Sequence, residues 1–262
     1  VRIADQFAVL KERNEAALVL FVTGGDPSLE ALPEICEALQ DAGADLIEVG
    51  VPFTDPIADG PVIQASSQRA LDRGVRPGMV LDTLTSIEFR VPVILMGYYN
   101  TALRVGLPEY AERLKGAGAS GTIMCDLIPE EADQWIAASE GAGLDTVFLA
   151  APTSTPQRRK AVCDVSTGFV YAVSRMGVTG AGTTMGDSTE GLVGDLREFA
   201  TCPVCVGFGV STPDDVKRVS AIADGAIVGS WLVNRLASDW GNNEARKELL
   251  ADVRRLKEAT RR

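Results

Sequence analysis

The chain has 262 residues, 46% of them hydrophobic, and a net charge of −11, enough apolar material for one large core and no basic stripe of the kind nucleic-acid binding requires. It contains no histidine, which removes the usual general base and the commonest metal ligand and leaves proton transfer to Asp, Glu, Tyr, Cys or Lys. No apolar run reaches the ~18 residues of a membrane span, the opening VRIADQFAVLKERN mixes charge into a helical pattern unlike a signal peptide, and five scattered cysteines fit reduced thiols in the cytoplasm.

After that N-terminal helix the pattern alternates short apolar runs with amphipathic segments. Strands are expected at residues 17–22, 45–49, 91–96, 121–124, 145–149, 169–173, 203–206 and 225–228, each rich in Val, Ile, Leu and Ala without strict alternation, as in parallel strands buried on both faces. Helices are expected at 29–41, 76–87, 108–116, 129–140, 155–163, 211–220 and 243–259. Two of them open with Thr-Pro, at Thr155 and Thr212, a capping residue followed by proline at the first helical position. The basic run Arg254, Arg255, Lys257, Arg261 and Arg262 sits beside Asp252 and Glu258 and reads as a solvated helix face. Strand–helix alternation repeated eight times predicts one closed (β/α)8 TIM barrel domain over residues 1–262 with an extra N-terminal helix. The competing doubly wound sheet usually carries G-x-G-x-x-G after its first strand, and FVTGGDP does not supply it.

Barrels place their chemistry where strands end and loops begin, so three windows matter. In the first, IEVGVPFTDPIADGPVIQ (47–64), Glu48 lies inside an apolar run. It is either a carboxyl aimed into the barrel mouth, its pKa raised by desolvation, or a glutamate paired with an arginine in the wall. The loop after it carries Asp55 and Asp59 between prolines and glycines. Its length suggests function, although Asp59-Gly60 on local grounds is a plain turn signal. In the second window, VGFGVS (206–211) and IVGSWL (227–232) follow the seventh and eighth strands. Gly207 and Gly209 would let the backbone approach a ligand, and Gly229-Ser230 opens a helix at the place where barrels bind phosphate, unless these are simply tight turns. The third, YAVSRMGVTGAGTTMGD (171–187), holds Tyr171, a core aromatic or one pointing into the barrel, then a polar, glycine-rich stretch with Arg175 and Thr179 that reads as a loop able to close over a substrate.

Several chemistries drop out. Cys202 and Cys205 make a C-x-x-C inside a strand pattern, without the helix start of a redox pair or the second pair of a zinc site. No lysine sits at a strand end, so a Schiff-base aldolase lacks its amine. Metal catalysis lacks histidine and a dense carboxylate cluster, and a nucleophilic serine lacks its base. Carboxylate acid–base work on a phosphate ester survives.

These windows resemble the tryptophan synthase α subunit family over essentially the whole chain. Glu48 to Gln64 fits the signature E-x-G-x-P-F-[ST]-D-P-x-A-D-G-P-x-I-Q, and FVTGGDP, MGYYN, SRMGVTGA, GFGVS and IVGS follow in the family's order. The resemblance implies retro-aldol cleavage of indole-3-glycerol phosphate to indole and glyceraldehyde 3-phosphate. It implies no metal or cofactor on this chain, and a β subunit that carries pyridoxal phosphate, two α with two β. Residue by residue it implies that Glu48 is the acid–base catalyst, that Asp59 binds the indole N–H, and that Tyr171 lies beside the glutamate. Phe21 and Tyr98 would line the indole pocket. Gly180, Gly209, Gly229 and Ser230 would grip the phosphate with Phe208 near it, Thr179 and Arg175 would belong to the closing loop, and Pro52, Asp55 and Asn100 would face the β subunit. The sequence departs from the family pattern at Ile128, in a partner-facing segment, and at Trp231, where a small residue is usual. A stand-alone lyase, a barrel kept to activate its partner, and another phosphate-binding barrel are the competing readings. Intact Glu48 and Asp59 speak against the second of these. Against the third stands the lack of the lysine, histidine or aspartate pair such barrels use.

Overall fold

The structure, a computed structural model, describes residues 1–173 and 185–262. Its strands are β1 (Ala17–Thr23), β2 (Leu46–Gly50), β3 (Val93–Gly97), β4 (Gly121–Met124), β5 (Asp145–Ala150), β6 (Val170–Val173), β7 (Val204–Gly207) and β8 (Gly225–Val228). They run parallel, follow chain order around the ring and close into a barrel, with Gly225 of β8 beside Ala17 of β1. This is the expected (β/α)8 TIM barrel, and the open sheet is excluded. The helices are α1 (Ile3–Glu12), α2 (Leu32–Ala42), α3 (Pro61–Asp72), α4 (Pro77–Leu84), α5 (Tyr99–Val105), α6 (Leu107–Gly116), α7 (Asp133–Gly141), α8 (Pro156–Val165), α9 (Met185–Arg197), α10 (Pro213–Ile222), α11 (Ser230–Asp239) and α12 (Asn243–Glu258). Among the described residues no helix is long and apolar enough to cross a membrane.

Side chains alternate across each strand. Leu18, Leu20 and Val22 pack outward against the helices, while Ala17 and Val19 pack inside the barrel. Both sides are apolar, which hides the alternation in the sequence. On β2 the interior takes Leu46 and the outer layer takes Ile47, so the same alternation turns Glu48 inward. The N-terminal end of the barrel is filled by α1, whose Ile3, Phe7 and Leu10 join the interior cluster. Ile3 seats against Gly121 and Gly168, where an added Cβ would come within 2.9 Å of its Cδ1. The C-terminal ends of the strands form the opposite end, the barrel mouth.

Element ends differ from expectation in instructive ways. The expected helix 129–140 divides into a 3-10 turn, Pro129–Glu131, and α7, an arrangement that buries both Pro129 and Ala132. The expected helix at 29–41 starts later, at Leu32, after the turn around Pro27, and that at 76–87 stops at Leu84. Two helices in the loop regions lack the apolar period that would reveal them. Among the residues of α3 the buried ones are Ser66, Ser67 and Ala70, and on α5 the buried residue is Ala102. The caps behave as read. Thr155 Oγ1 accepts from the Arg158 N–H at 3.2 Å, and Thr212 forms a reciprocal capping box with Asp215. The five cysteines are free, with Cys205 buried in β7 and the Cys202 thiol donating to the Ser166 carbonyl at 3.3 Å.

Candidate active site

At the mouth a cavity of about 170 Å3 is lined from several strand ends: Phe21, Glu48 and Asp59 on one side, Tyr171, Phe208 and Gly209 on another, and Gly229, Ser230 and Trp231 at the start of α11. A larger groove of about 680 Å3 lies at the other end of the barrel, beside Arg2, Ser120 and Asp145. That end holds the starts of the strands, where barrels keep stability rather than chemistry. The smaller cavity brings Glu48 and Asp59 together at the C-terminal ends of the strands, which makes it the candidate site.

Glu48 is 1% exposed, and its Oε1 has no hydrogen-bond partner among the described residues. The wall ion pair that the sequence left open is therefore absent there. Without a cation to hold the charge, burial pushes its carboxyl up to about 8. β1 brings Phe21 directly opposite it and β3 brings Ile94. Gly50, two residues on, must be glycine: an added Cβ would meet the Phe21 ring at 2.5 Å.

Asp59 is more than a turn residue. Its N–H does close a turn onto the Pro56 carbonyl at 3.0 Å, yet its side chain is fixed by a long-range contact. The Tyr98 hydroxyl donates to Asp59 Oδ2 at 3.0 Å and accepts from the Ala58 N–H at 3.1 Å. Phe53 stacks on the Tyr98 ring at 4.8 Å and 14°. From the first turn of α3, Gln64 donates back to the carbonyls of Asp59 at 2.9 Å and Pro56 at 3.3 Å. Burial pushes the Asp59 carboxyl up to about 6, with the Tyr98 hydrogen bond pulling the other way. Tyr98, expected along the indole wall, reaches the site through Asp59.

Tyr171 is buried on β6 beside Cys205 of β7, and burial, reinforced by Glu48, pushes its hydroxyl well above the ordinary tyrosine range. Gly207 makes that position possible, since a Cβ there would lie 2.3 Å from the Tyr171 oxygen. Gly207, which the sequence offers for close approach of a ligand, thus also leaves room for Tyr171. After β7 the backbone turns left-handed at Phe208 and Gly209, with φ of 81° and 77°, a conformation that glycine takes without strain and phenylalanine does not. At α11, Gly229 is the N-cap and no side chain caps the helix, so its first N–H groups face outward with the positive end of the dipole.

The partner-facing expectations fall on loops after three neighbouring strands. Pro52 is buried, whereas Asp55 and Asn100 are exposed. Exposed apolar residues accompany them, with Ile57 82%, Leu103 53% and Ile128 37% exposed. The Tyr99 N–H donates to Asp126 at 2.8 Å, tying the third loop to α5. Arg175, Thr179 and Gly180 lie outside the described residues. Sequence reasoning missed Gly60, Ile63, Met96, Val210, Ser211 and Ile227 in the cavity wall; only Ser211 carried a signal, as the polar residue closing GFGVS.

The family model described as tryptophan synthase alpha chain matches residues 7–261. A tryptophan synthase alpha chain of Geotalea uraniireducens (strain Rf4) is 45% identical over 98% of this chain and 96% of its own, and one from Gloeobacter violaceus is 45% identical over 99% and 95%. Among solved structures, tryptophan synthase from M. tuberculosis in its aminoacrylate-bound form superposes with a TM-score of 0.88 at 38% identity, covering 99% of each chain. Tryptophan synthase subunit alpha from Legionella pneumophila str. Paris superposes with a TM-score of 0.90 at 31% identity, covering 99% of this chain and 98% of its own.

Proposed function

The chain belongs to the tryptophan synthase alpha chain family, and from that premise we propose that two carboxyls of unequal acidity, Glu48 and Asp59, divide the work of its reaction. The reaction is cleavage of indole-3-glycerol phosphate to indole and glyceraldehyde 3-phosphate, a lyase step of tryptophan biosynthesis that supplies a β subunit. The α chain needs no metal or cofactor for it; pyridoxal phosphate belongs to the β subunit.

Indole is a poor leaving group until its ring carbon is protonated. Glu48, kept neutral by its burial, donates that proton. The resulting positive charge spreads to the ring nitrogen, where Asp59, kept ionised, accepts the N–H and stabilises the cation. Glu48, now a carboxylate, takes the proton of the side-chain hydroxyl next to the breaking bond. The hydroxyl carbon becomes the aldehyde, the carbon–carbon electrons return to the ring, and Glu48 is neutral again. Tyr171 packs beside the reacting carbon. Phe21 walls the indole end. Gly209 after β7, with Gly229 and Ser230 at the start of α11, hold the phosphate with backbone and hydroxyl donors, with Phe208 alongside. Gly180 joins that grip, and Thr179 and Arg175 the closing loop, on the family pattern alone. Pro52, Asp55 and Asn100 form part of the β contact in an assembly of two α with two β. Residence in the cytoplasm belongs to the same reading and accords with five free cysteines.

The observation that carries this is a buried Glu48, its Oε1 without a partner among the described residues, pushed up to about 8 in the same cavity as an Asp59 pushed only to about 6. Indole release from indole-3-glycerol phosphate, followed with and without added β subunit, tests it. Weak turnover alone and strong turnover together is expected; no release under either condition contradicts it.

A further inference from the structure

The proposed phosphate end of the cavity is lined by Gly209, Ser211, Gly229, Ser230 and Trp231, with no lysine or arginine among the described lining residues. Among the described residues a phosphate seated there meets neutral N–H and O–H donors, so each additional donor matters. Trp231 is the second residue of α11 and half-buried. Its ring is held in place from behind. Arg235, one turn further along the helix, lies over it at 5.6 Å from the ring centre. Arg235 is itself anchored by Asp239 and by Asp252, the latter at 3.0 Å. The two carboxylates offset the arginine's charge, leaving Trp231 as a rigid neutral wall. An indole N–H can only donate, and Trp231 stands half-buried in the wall of this cavity. Among the described residues none accepts from Trp231.

We propose that Trp231 is a substrate-binding residue that donates its indole N–H to the substrate's phosphate, alongside the α11 backbone and Ser230. The proposal rests on reading this end of the cavity as the phosphate seat. It makes the hydrogen bond a charge-assisted one to an anion whose described surroundings hold no lysine or arginine, where loss of a single donor is felt in binding.

Trp231→Phe keeps a ring beneath Arg235 and removes the N–H. With the β subunit present, KM for indole-3-glycerol phosphate and the inhibition constant of glycerol 3-phosphate should both rise roughly tenfold, while kcat stays within about twofold. Emission gives a reading independent of turnover. Trp135 and Trp240 are 1% and 5% exposed, so a change on adding glycerol 3-phosphate should come from Trp231 and vanish in the variant. Unchanged KM and inhibition constant in Trp231→Phe, with the native chain still inhibited, would overturn the role of Trp231. Failure of glycerol 3-phosphate to compete with substrate on the native chain would instead remove the phosphate seat itself.

Discussion

At pH 7 a carboxyl near 8 is roughly nine-tenths protonated and one near 6 roughly nine-tenths ionised, so Glu48 and Asp59 stand on opposite sides of neutrality in one cavity. Activity requires Glu48 with its proton and Asp59 without, which predicts a bell-shaped pH profile of kcat/KM with limbs near 6 and 8. Tyr98 donates to the ionised form of Asp59, so Tyr98→Phe should raise the Asp59 pKa and move the acidic limb to higher pH, leaving the alkaline limb in place. An acidic limb that does not move would detach Tyr98 from this role. The burial of Glu48 also has a linkage consequence. Its folded pKa lies above its unfolded one, so the native state holds a proton that the unfolded chain releases. Stability therefore falls as pH rises from about 4.5 to about 8 and then levels. Glu48→Gln escapes that loss and should gain stability over the native chain, on the order of a few kcal/mol, at pH 8 and little at pH 4. Denaturant unfolding at the two pH values checks this.

At the scale of elements the site depends on neighbouring strands fitting one another. Gly207 of β7 leaves room for the Tyr171 side chain of β6, whose oxygen and ring carbons would lie 2.3–2.6 Å from a Cβ at that position. Gly207→Ala should cost about 1–3 kcal/mol of stability and lower turnover by displacing Tyr171. In a Tyr171→Ala background the stability cost should largely disappear, and a double-mutant cycle measures the coupling. Equal costs in both backgrounds would contradict the contact. Legibility varies at this scale for a physical reason. Thr155 and Thr212 announced their helices because caps are local chemistry. α3 was invisible because its buried residues are two serines and an alanine, so it shows no apolar period. The room that Gly207 leaves for Tyr171 has no local signal, because the two are distant in sequence.

For the molecule as a whole, eight apolar runs at strand length sufficed to anticipate the closed barrel, and the interior plug by α1 follows from Ile3, Phe7 and Leu10 lying on one helical face. Glu48 was legible as a charge inside a buried strand. Asp59 was not, because what distinguishes it from a turn residue is Tyr98 and Gln64, contacts that exist only once β3 and α3 are in place. Its role was reached through the family pattern, and the geometry now offers a physical cause for it. Everything in the proposed mechanism passes through a neutral Glu48. Indole release from indole-3-glycerol phosphate by Glu48→Gln, with saturating β subunit and substrate affinity measured separately by calorimetry, tests that most directly. The account predicts a fall in kcat of at least ~10²-fold with substrate still bound; turnover within about twofold of the native chain would contradict it.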